Sequence, residues 1–332
     1  ERFDSRMRGA PDRVDAALRW LEKDRATDRP FFLFLHTYEV HVPYMPDPAD
    51  VARFASDYDG PMRRAYENAL AFTARAQGTR KLQRVQEQFF RPVLQSADLT
   101  DEDRAFYIAL YEAEVALADR EIGRFLDQLA ALGLAENTIV VLTADHGEEF
   151  WEHGQHGHYQ VWRELLHVPM IVRIPGGPAG VVRNDFIDLV DLMPTLLSEL
   201  GLPIPPTAVG LDIGFRAPRA AHSAAHRVVG EANYRYEQLA CRADAEAAIF
   251  PTGPGVTDAA FNLALDPEER ANLAASEEGA ALLNRARAFL VEWRLAAERH
   301  RDQHGLAGVP VAGAGSASTQ AELNQLGYTG DR

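Results

Sequence analysis

The pattern of apolar positions along the chain predicts alternating strands and helices. Continuous apolar runs at residues 31–35, 138–143 and 168–174 predict strands. Short runs without polar alternation are typical of strands that are buried on both faces, as in parallel sheets. Apolar residues recur every three or four positions in the segments between these runs. This spacing predicts helices over residues 12–24, 61–98, 101–132 and 186–200.

The order of these elements favours an α/β fold, with a largely parallel central sheet flanked by helices. The pattern changes after about residue 205, where the predicted elements are strands at 226–232, 237–250 and 260–265 and a helix at 278–302. We therefore predict an α/β domain over residues 1–204, a small antiparallel α+β subdomain over 205–303 and a flexible tail over 304–332.

Composition narrows the classes of function. Apolar residues make up 46% of the 332 positions, which is enough for a sizeable core. The net charge of −15 argues against nucleic acid as a partner, since phosphates require basic patches. The net charge does not exclude an anionic ester as a substrate, because a bound metal ion can make the local electrostatic potential positive.

The chain contains no apolar run of the length that a transmembrane helix requires, so no membrane span is predicted. Its first residues do not resemble a signal peptide, and the periplasm and the cytoplasm both remain open as compartments. Cys241 is the single cysteine, so an internal disulfide is excluded.

The densest group of chemically active side chains follows the predicted strand at 138–143. Asp145 and His146 come directly after it, and four of the eleven histidines lie between residues 146 and 158. A carboxylate and an imidazole are good ligands for a divalent metal. The alternative is a solvated loop that happens to be rich in histidine. We interpret the glutamates of this segment as solvated, or as lying behind the ligands: Glu148, Glu149 and Glu152.

A second polar loop follows the predicted strand at 31–35. It contains His41 between stiffening prolines that include Pro43 and Pro46. If the two strands are parallel, both loops lie at the same edge of the sheet and face each other. A histidine can bind an oxyanion there or protonate a leaving oxygen. The alternative for His41 is an ordinary hydrogen-bonded loop residue.

Several motifs in a fixed order resemble those of the sulfatase family of the alkaline phosphatase superfamily. His41 to Pro46 resembles the family's H-x-P-[HYF]-x-P loop, and Thr143 to Gly147 resembles T-A-D-[HN]-G. Further segments with family-like patterns lie at residues 133–138, 157–164, 168–172, 188–196 and 261–273. The resemblance extends over roughly residues 10 to 303. It implies an alkaline phosphatase-like fold that is incomplete at the N-terminus.

The resemblance also implies roles for individual residues. Asp145 and His146 match two ligands of the active-site cation, which is usually Ca²⁺ in sulfatases and often Mn²⁺ or Zn²⁺ in related phosphonate and phosphodiester hydrolases. His41 matches the histidine that contacts the sulfate and the leaving-group oxygen. His158 falls where many members have a sulfate-binding lysine, which implies substrate binding and a catalytic role. His156 is the alternative for that position.

One family feature is missing from these 332 residues. No segment matches the C/S-x-P-S/A-x-R motif that yields the formylglycine nucleophile, and no Asp-Asp pair is present. Cys241 lacks the accompanying proline and arginine and lies in a predicted strand, so we expect a buried core residue there. We expect the chain to be a fragment of a hydrolase, inactive alone, with the formylglycine on a missing segment.

Three functions remain open at this point. The first is metal-dependent hydrolysis of a small-molecule or carbohydrate sulfate ester. The second is hydrolysis of a phosphate or phosphonate ester on the same scaffold, which the identity of the nucleophile would distinguish. The third is a non-catalytic relative used for binding, which the presence of Asp145, His146 and His41 disfavours.

Overall fold

The fold is known from a computed structural model. It describes residues 9–55, 57–75, 84–184, 186–217, 228–233, 237–243, 245–251 and 257–305. The chain forms two compact units, which divide between Thr138 and Ile139. The domain boundaries predicted from the sequence stay a prediction, and the predicted tail lies outside the described residues from 306 onward.

The first unit is helical in its described part. Its α-helices are α1 (Ala10–Arg19), α2 (Pro48–Val51), α3 (Pro61–Arg75), α4 (Arg91–Leu94) and α5 (Asp101–Ala131). Five-residue π-helical turns extend α1 over Trp20–Asp24 and precede α4 over Gln86–Phe90. The predicted helix at 12–24 is thus confirmed as α1 and its π turn. Within the predicted helix at 61–98, residues 61–75 and 84–94 are helical, and residues 76–83 lie outside the described part of the chain.

Helix α5 is the main support of this unit. It begins at a capping box, in which the Thr100 side chain accepts from the Asp103 backbone N–H and the Asp103 carboxylate accepts from the Thr100 N–H. It ends just before Gly133, whose φ of +69° suits glycine. Phe106 and Leu110 are fully buried on its inner face. The predicted helix over 101–132 is therefore confirmed to within one residue.

The prediction of a strand at residues 31–35 is wrong. The segment is not part of a strand, and Phe32 and Phe34 expose 83% and 77% of their surface. An apolar run indicates that a segment can be buried, whereas a strand also requires a neighbour that pairs with its backbone groups. No strand of the first unit's described residues supplies that neighbour.

The second unit begins with a two-stranded ladder. Strand β1 (Val140–Thr143) pairs with β4 (Met170–Arg173), and between them lie the short strands β2 (Glu149–Phe150) and β3 (His156–Gly157) and helix α6 (Arg163–Leu166). The β1–β4 pairing is antiparallel, with Thr143 opposite Met170.

The largely parallel sheet that the sequence predicts is therefore not found among the described strands. The chain between β1 and β4 returns to the end of β1 that it left, so β4 must run in the opposite direction. A parallel neighbour would need a crossover to the other end of the sheet. Every strand pair that the structure describes is antiparallel.

A four-stranded antiparallel sheet follows, as the sequence predicted for the C-terminal part. Its strands, in spatial order, are β5 (Val228–Asn233), β6 (Glu237–Ala243), β7 (Glu246–Pro251) and β8 (Ala259–Asn262). The predicted strand at 237–250 is in fact the β6–β7 hairpin. Cys241 on β6 is fully buried, which confirms its interpretation as a core residue.

Both faces of this sheet are covered within the second unit. One face packs on helix α8 (Glu277–Gln303) through Cys241, Leu282 and Leu290. The other face packs on Val161 and Trp162, next to α6. The sheet therefore supports the segment that carries α6, which contacts the loop after β1.

The predicted helix at 186–200 is shorter in the structure, as α7 (Leu192–Glu199) after a 3₁₀ turn. Asp191 and Thr195 are fully buried there and accept the backbone N–H groups of Leu211 and Ile213 at 2.8 and 3.1 Å. These hydrogen bonds show that Asp191 and Thr195, two of the polar residues within the motif at 188–196, have a structural role. Of the helices described, none has the length and apolar character needed to cross a bilayer.

Candidate active site

The loop after β1 is held in place by backbone contacts. The Thr143 hydroxyl donates to the Pro169 carbonyl at 2.9 Å, and the Gly147 N–H donates to the Leu165 carbonyl at 2.8 Å. A Cβ atom at position 147 would lie 1.9 Å from the backbone oxygen of Glu164. Glycine is therefore required at position 147, because only its lack of a side chain allows the loop to contact α6 so closely.

Asp145 and His146 project from this loop close to each other. The Asp145 carboxylate is exposed, and its Oδ1 lies 3.9 Å from His146 Nε2. The Nδ1 atom of His146 lies 2.8 Å from the Gly147 carbonyl oxygen. Because a carbonyl only accepts, this contact places the ring proton on Nδ1 and the lone pair on Nε2.

This pair fits part of a divalent-metal site. A carboxylate oxygen and an imidazole lone pair are suitable donor atoms, and their 3.9 Å separation needs only a small adjustment of the exposed carboxylate to be bridged by one ion. Two protein ligands do not complete the shell of Ca²⁺, which takes six to eight oxygens. The prediction that Asp145 and His146 bind a metal stays a prediction.

His158 lies against His146. The two ring centroids are 4.5 Å apart and the planes are tilted by 31°. His158 Nδ1 is 3.2 Å from a carboxylate oxygen of Glu148, and both side chains are at least nine-tenths buried. Glu148 therefore lies behind the histidines and is not a solvated residue.

The hairpin of β2 and β3 explains how Glu148 reaches His158. Glu149 pairs with Gly157 across the two strands, so the preceding and following positions, 148 and 158, are neighbours. Sequence reasoning did not identify Glu148 as the partner of His158. The tight turn signalled by Gly154 could have indicated the hairpin and hence this pairing.

The turn of this hairpin is built around a buried carboxylate. Glu149 is fully buried and accepts the backbone N–H groups of His153 and Gln155 at 3.2 and 3.1 Å. Burial raises the pKa of Glu149, although these hydrogen bonds oppose the shift. Glu149 therefore has a structural role, and Trp151 adopts a left-handed backbone (φ 67°) to close the turn.

His156 has a different environment from His158. Its ring packs on Trp151 with centroids 5.3 Å apart. Burial lowers the pKa of His156, and the charge of Glu148 only partly opposes this. A neutral imidazole is therefore expected for His156 at pH 7, and a neutral ring binds an anion less strongly than a charged one does.

His41 belongs to the first unit. Its Nδ1 lies 2.7 Å from the Val42 carbonyl oxygen. The loop is anchored on both sides: the Met45 N–H donates to Glu114 on α5 at 2.6 Å, and the Tyr66 hydroxyl donates to the Pro46 carbonyl at 2.5 Å. His41 is thus held by a fixed loop, and its convergence with the residues after β1 stays a prediction.

Comparison with known proteins supplies the family. A family model described as Sulfatase matches residues 12–202, which is more than half of the chain. The chain belongs to the sulfatase family. Arylsulfatase K of Rattus norvegicus is 31% identical over 182 residues, which cover 52% of this chain and 32% of that protein. The chain thus spans about a third of the length of this curated relative.

Solved structures show the fold that this sulfatase-family chain shares. BT4656, in complex with its substrate D-glucosamine-2-N,6-O-disulfate, has a TM-score of 0.69 at 20% identity and covers 89% of this chain and 70% of its own. The phosphonate monoester hydrolase of Agrobacterium radiobacter has a TM-score of 0.60 at 23% identity, covering 88% and 60%. At such identities the likeness is one of fold.

Proposed function

We propose that this sulfatase-family chain takes part in the metal-dependent hydrolysis of a sulfate ester. The observation that carries the proposal is the family match over residues 12–202, which includes the Asp145, His146 and His158 cluster. The similarity to Arylsulfatase K supports sulfate over other esters.

The proposed substrate is a sulfated carbohydrate, with a small aryl or alkyl sulfate as the simpler alternative. The support is the fold shared with BT4656, whose substrate is a disulfated glucosamine. The abundance of acidic residues does not exclude an anionic ester as the substrate. In the proposed site the ester would face imidazole rings and a bound cation.

In this proposal Asp145 and His146 hold the divalent cation, with Ca²⁺ as the first candidate and Mn²⁺ or Zn²⁺ as alternatives. The bound ion would supply Lewis-acid stabilisation of the charge that develops on the ester oxygens. The Gly147 carbonyl orients the His146 ring for this role by accepting a hydrogen bond from Nδ1–H.

His158 is proposed to bind the sulfate oxygens. Glu148 accepts a hydrogen bond from His158 Nδ1 at 3.2 Å and thereby fixes the orientation of the ring. His41 is proposed to donate a hydrogen bond to the leaving-group oxygen and to protonate it as the ester bond breaks. His156 remains the alternative for sulfate binding.

The nucleophile is proposed to be a formylglycine supplied by a segment outside these 332 residues, since the motif that yields it does not occur in them. Its hydrate would attack sulfur and release the alcohol. The chain alone is then expected to bind sulfate esters without turning them over.

The test compares binding and turnover on the same substrates. The chain is titrated calorimetrically with 4-nitrophenyl sulfate and with glucosamine 6-sulfate, with and without Ca²⁺. Cation-dependent binding without release of sulfate is expected. Addition of the upstream coding segment, if it encodes the formylglycine motif, is expected to restore turnover. Absence of binding under every metal condition would reject the proposal.

Hydrolysis of a phosphonate ester is the second candidate, favoured by the fold shared with the phosphonate monoester hydrolase. The same preparations assayed with a phenyl phosphonate monoester distinguish the two. A larger kcat/KM for the phosphonate than for the sulfate would make phosphonate hydrolysis the main activity.

A further inference from the structure

Three side chains that could bind a metal converge in the second unit, and none belongs to the pair after β1. They are His153 in the β2–β3 turn, Glu164 on α6 and Glu269 after β8, and one ligand atom of each lies within 4.8 Å of the others. His153 Nε2 is 3.3 Å from a carboxylate oxygen of Glu164. Three separate structural segments of the second unit thus meet at one point.

These side chains are shielded from water, and two of their atoms lack hydrogen bonds. The exposed fractions are 8% for the His153 side chain, 18% for Glu164 and 0% for Glu269. His153 Nε2 and Glu164 Oε2 are buried and lie at ion-pair distance from each other, but within the described residues neither atom forms a hydrogen bond. A cation between the two atoms would satisfy both.

The ligand atoms are also held in fixed directions. The Trp162 ring stacks on His153 with a centroid distance of 4.0 Å and an interplanar angle of 14°. Glu269 Oε2 accepts the Arg163 backbone N–H at 3.0 Å, and its other oxygen accepts from the Arg242 guanidinium. Such preorganisation lowers the entropic cost of binding an ion.

We propose that His153, Glu164 and Glu269 form a second metal site, which binds one Zn²⁺. Imidazole nitrogen and carboxylate oxygen are suitable zinc ligands, and tetrahedral bonds of their usual length separate neighbouring ligand atoms by roughly 3.3 Å. The observed distance between His153 and Glu164 is 3.3 Å. The fourth position is left for water. The ion fastens the β2–β3 turn to α6 and to the segment after β8.

The experiment uses the whole 332-residue chain with Asp145→Ala and His146→Ala, so that the first proposed site does not contribute. Metal-free protein is dialysed against buffered Zn²⁺, and bound zinc is measured by elemental analysis. One Zn²⁺ per chain is expected. Glu164→Gln is expected to weaken binding at least tenfold. Glu268→Gln is the matched control, because Glu268 is exposed and forms its ion pair with the exposed Arg270, outside the proposed site.

A second readout guards against a variant that fails to fold. Zn²⁺ should raise the Tm of the parent and of Glu268→Gln by mass action, and should not raise that of Glu164→Gln. If circular dichroism shows that Glu164→Gln is unfolded, Glu164→Asp replaces it, and a changed visible spectrum of bound Co²⁺ is expected. Equal zinc affinity in the Glu164 variant and in Glu268→Gln, or no bound zinc in the parent, overturns the proposal and leaves an ion pair of His153 with Glu164.

Discussion

The rings of His146 and His158 lie against each other, with centroids 4.5 Å apart. Each ring is oriented by an acceptor at Nδ1, the Gly147 carbonyl at 2.8 Å for His146 and the Glu148 carboxylate at 3.2 Å for His158. The proposed metal ligand and the proposed sulfate-binding residue therefore form one packed unit, and displacement of either ring should affect the other.

Removal of the Glu148 carboxylate should weaken sulfate binding. In Glu148→Ala the His158 ring loses the acceptor that orients it, and the dissociation constant for 4-nitrophenyl sulfate is expected to rise about 10- to 100-fold. Isothermal titration calorimetry measures this. Glu148→Gln keeps an acceptor oxygen and should recover part of the affinity. An unchanged constant in Glu148→Ala would remove Glu148 from the proposed site.

Asp145→Ala should remove the cation dependence of substrate binding without destabilising the fold, because the Asp145 side chain is 73% exposed. We expect the affinity for the divalent cation to fall at least about tenfold. The measurement is a calcium or manganese titration in the Glu164→Gln background, which keeps the second cluster out of the result. Retained cation affinity there would contradict the assignment of Asp145 as a ligand.

Gly147→Ala should destabilise the chain by about 1–3 kcal/mol, because the added Cβ would overlap the Glu164 carbonyl. Gly123→Ala is the matched control. Gly123 lies within α5 with no atom near the position of a Cβ, so alanine is expected to stabilise the helix by about 0.5–1 kcal/mol. Urea denaturation measures both. If both substitutions changed the free energy of unfolding by the same amount in the same direction, the close contact of Gly147 with the Glu164 carbonyl would not determine stability.

Glu114 should make stability depend on pH. Burial, together with a hydrogen bond and the charge of neighbouring Glu39, raises the pKa of Glu114 from 4.5 to about 9, and Asp47 adds to the shift. A carboxyl whose pKa rises on folding binds its proton more tightly in the folded chain. Its contribution to stability is complete below pH 4.5 and is lost as the pH rises towards 9.

Glu114→Gln tests this dependence. The amide cannot ionise and can still accept from Met45, so the variant should be more stable than the parent at pH 8 by at least about 1 kcal/mol. The difference should shrink at pH 5. Free energies of unfolding from urea titrations at the two pH values provide the measurement. A constant difference between pH 5 and pH 8 would show that Glu114 does not titrate in this range.

Local signals in the sequence predicted the helices well. Helix α5 follows from its apolar spacing, the cap at Thr100 and the glycine at 133, all of which act within a few residues. The same reasoning predicted α8 over 278–302, against Glu277–Gln303 in the structure. It also interpreted Asp145, His146, His158 and His41 as parts of one site. His146 does contact His158, and the roles of these residues stay a prediction.

The errors concern pairings between distant residues. The run at 31–35 is apolar enough for a strand, yet strand formation depends on a neighbour elsewhere in the chain. The direction of β4 is set by the return of the loop that precedes it, which apolar patterning does not encode. The burial of Glu148 depends on the hairpin register that places it opposite His158.

The fully buried carboxylate of Glu149 has a consequence for the motions of the loop after β1. Two amide protons of the turn, on His153 and Gln155, are donated to it, and the Gly147 amide is donated to α6. Surface loops usually exchange their amide hydrogens quickly, because small local openings expose them. These three amides should instead exchange as slowly as those of the ladder between β1 and β4. By hydrogen exchange, much of the candidate active site would then open together with the core.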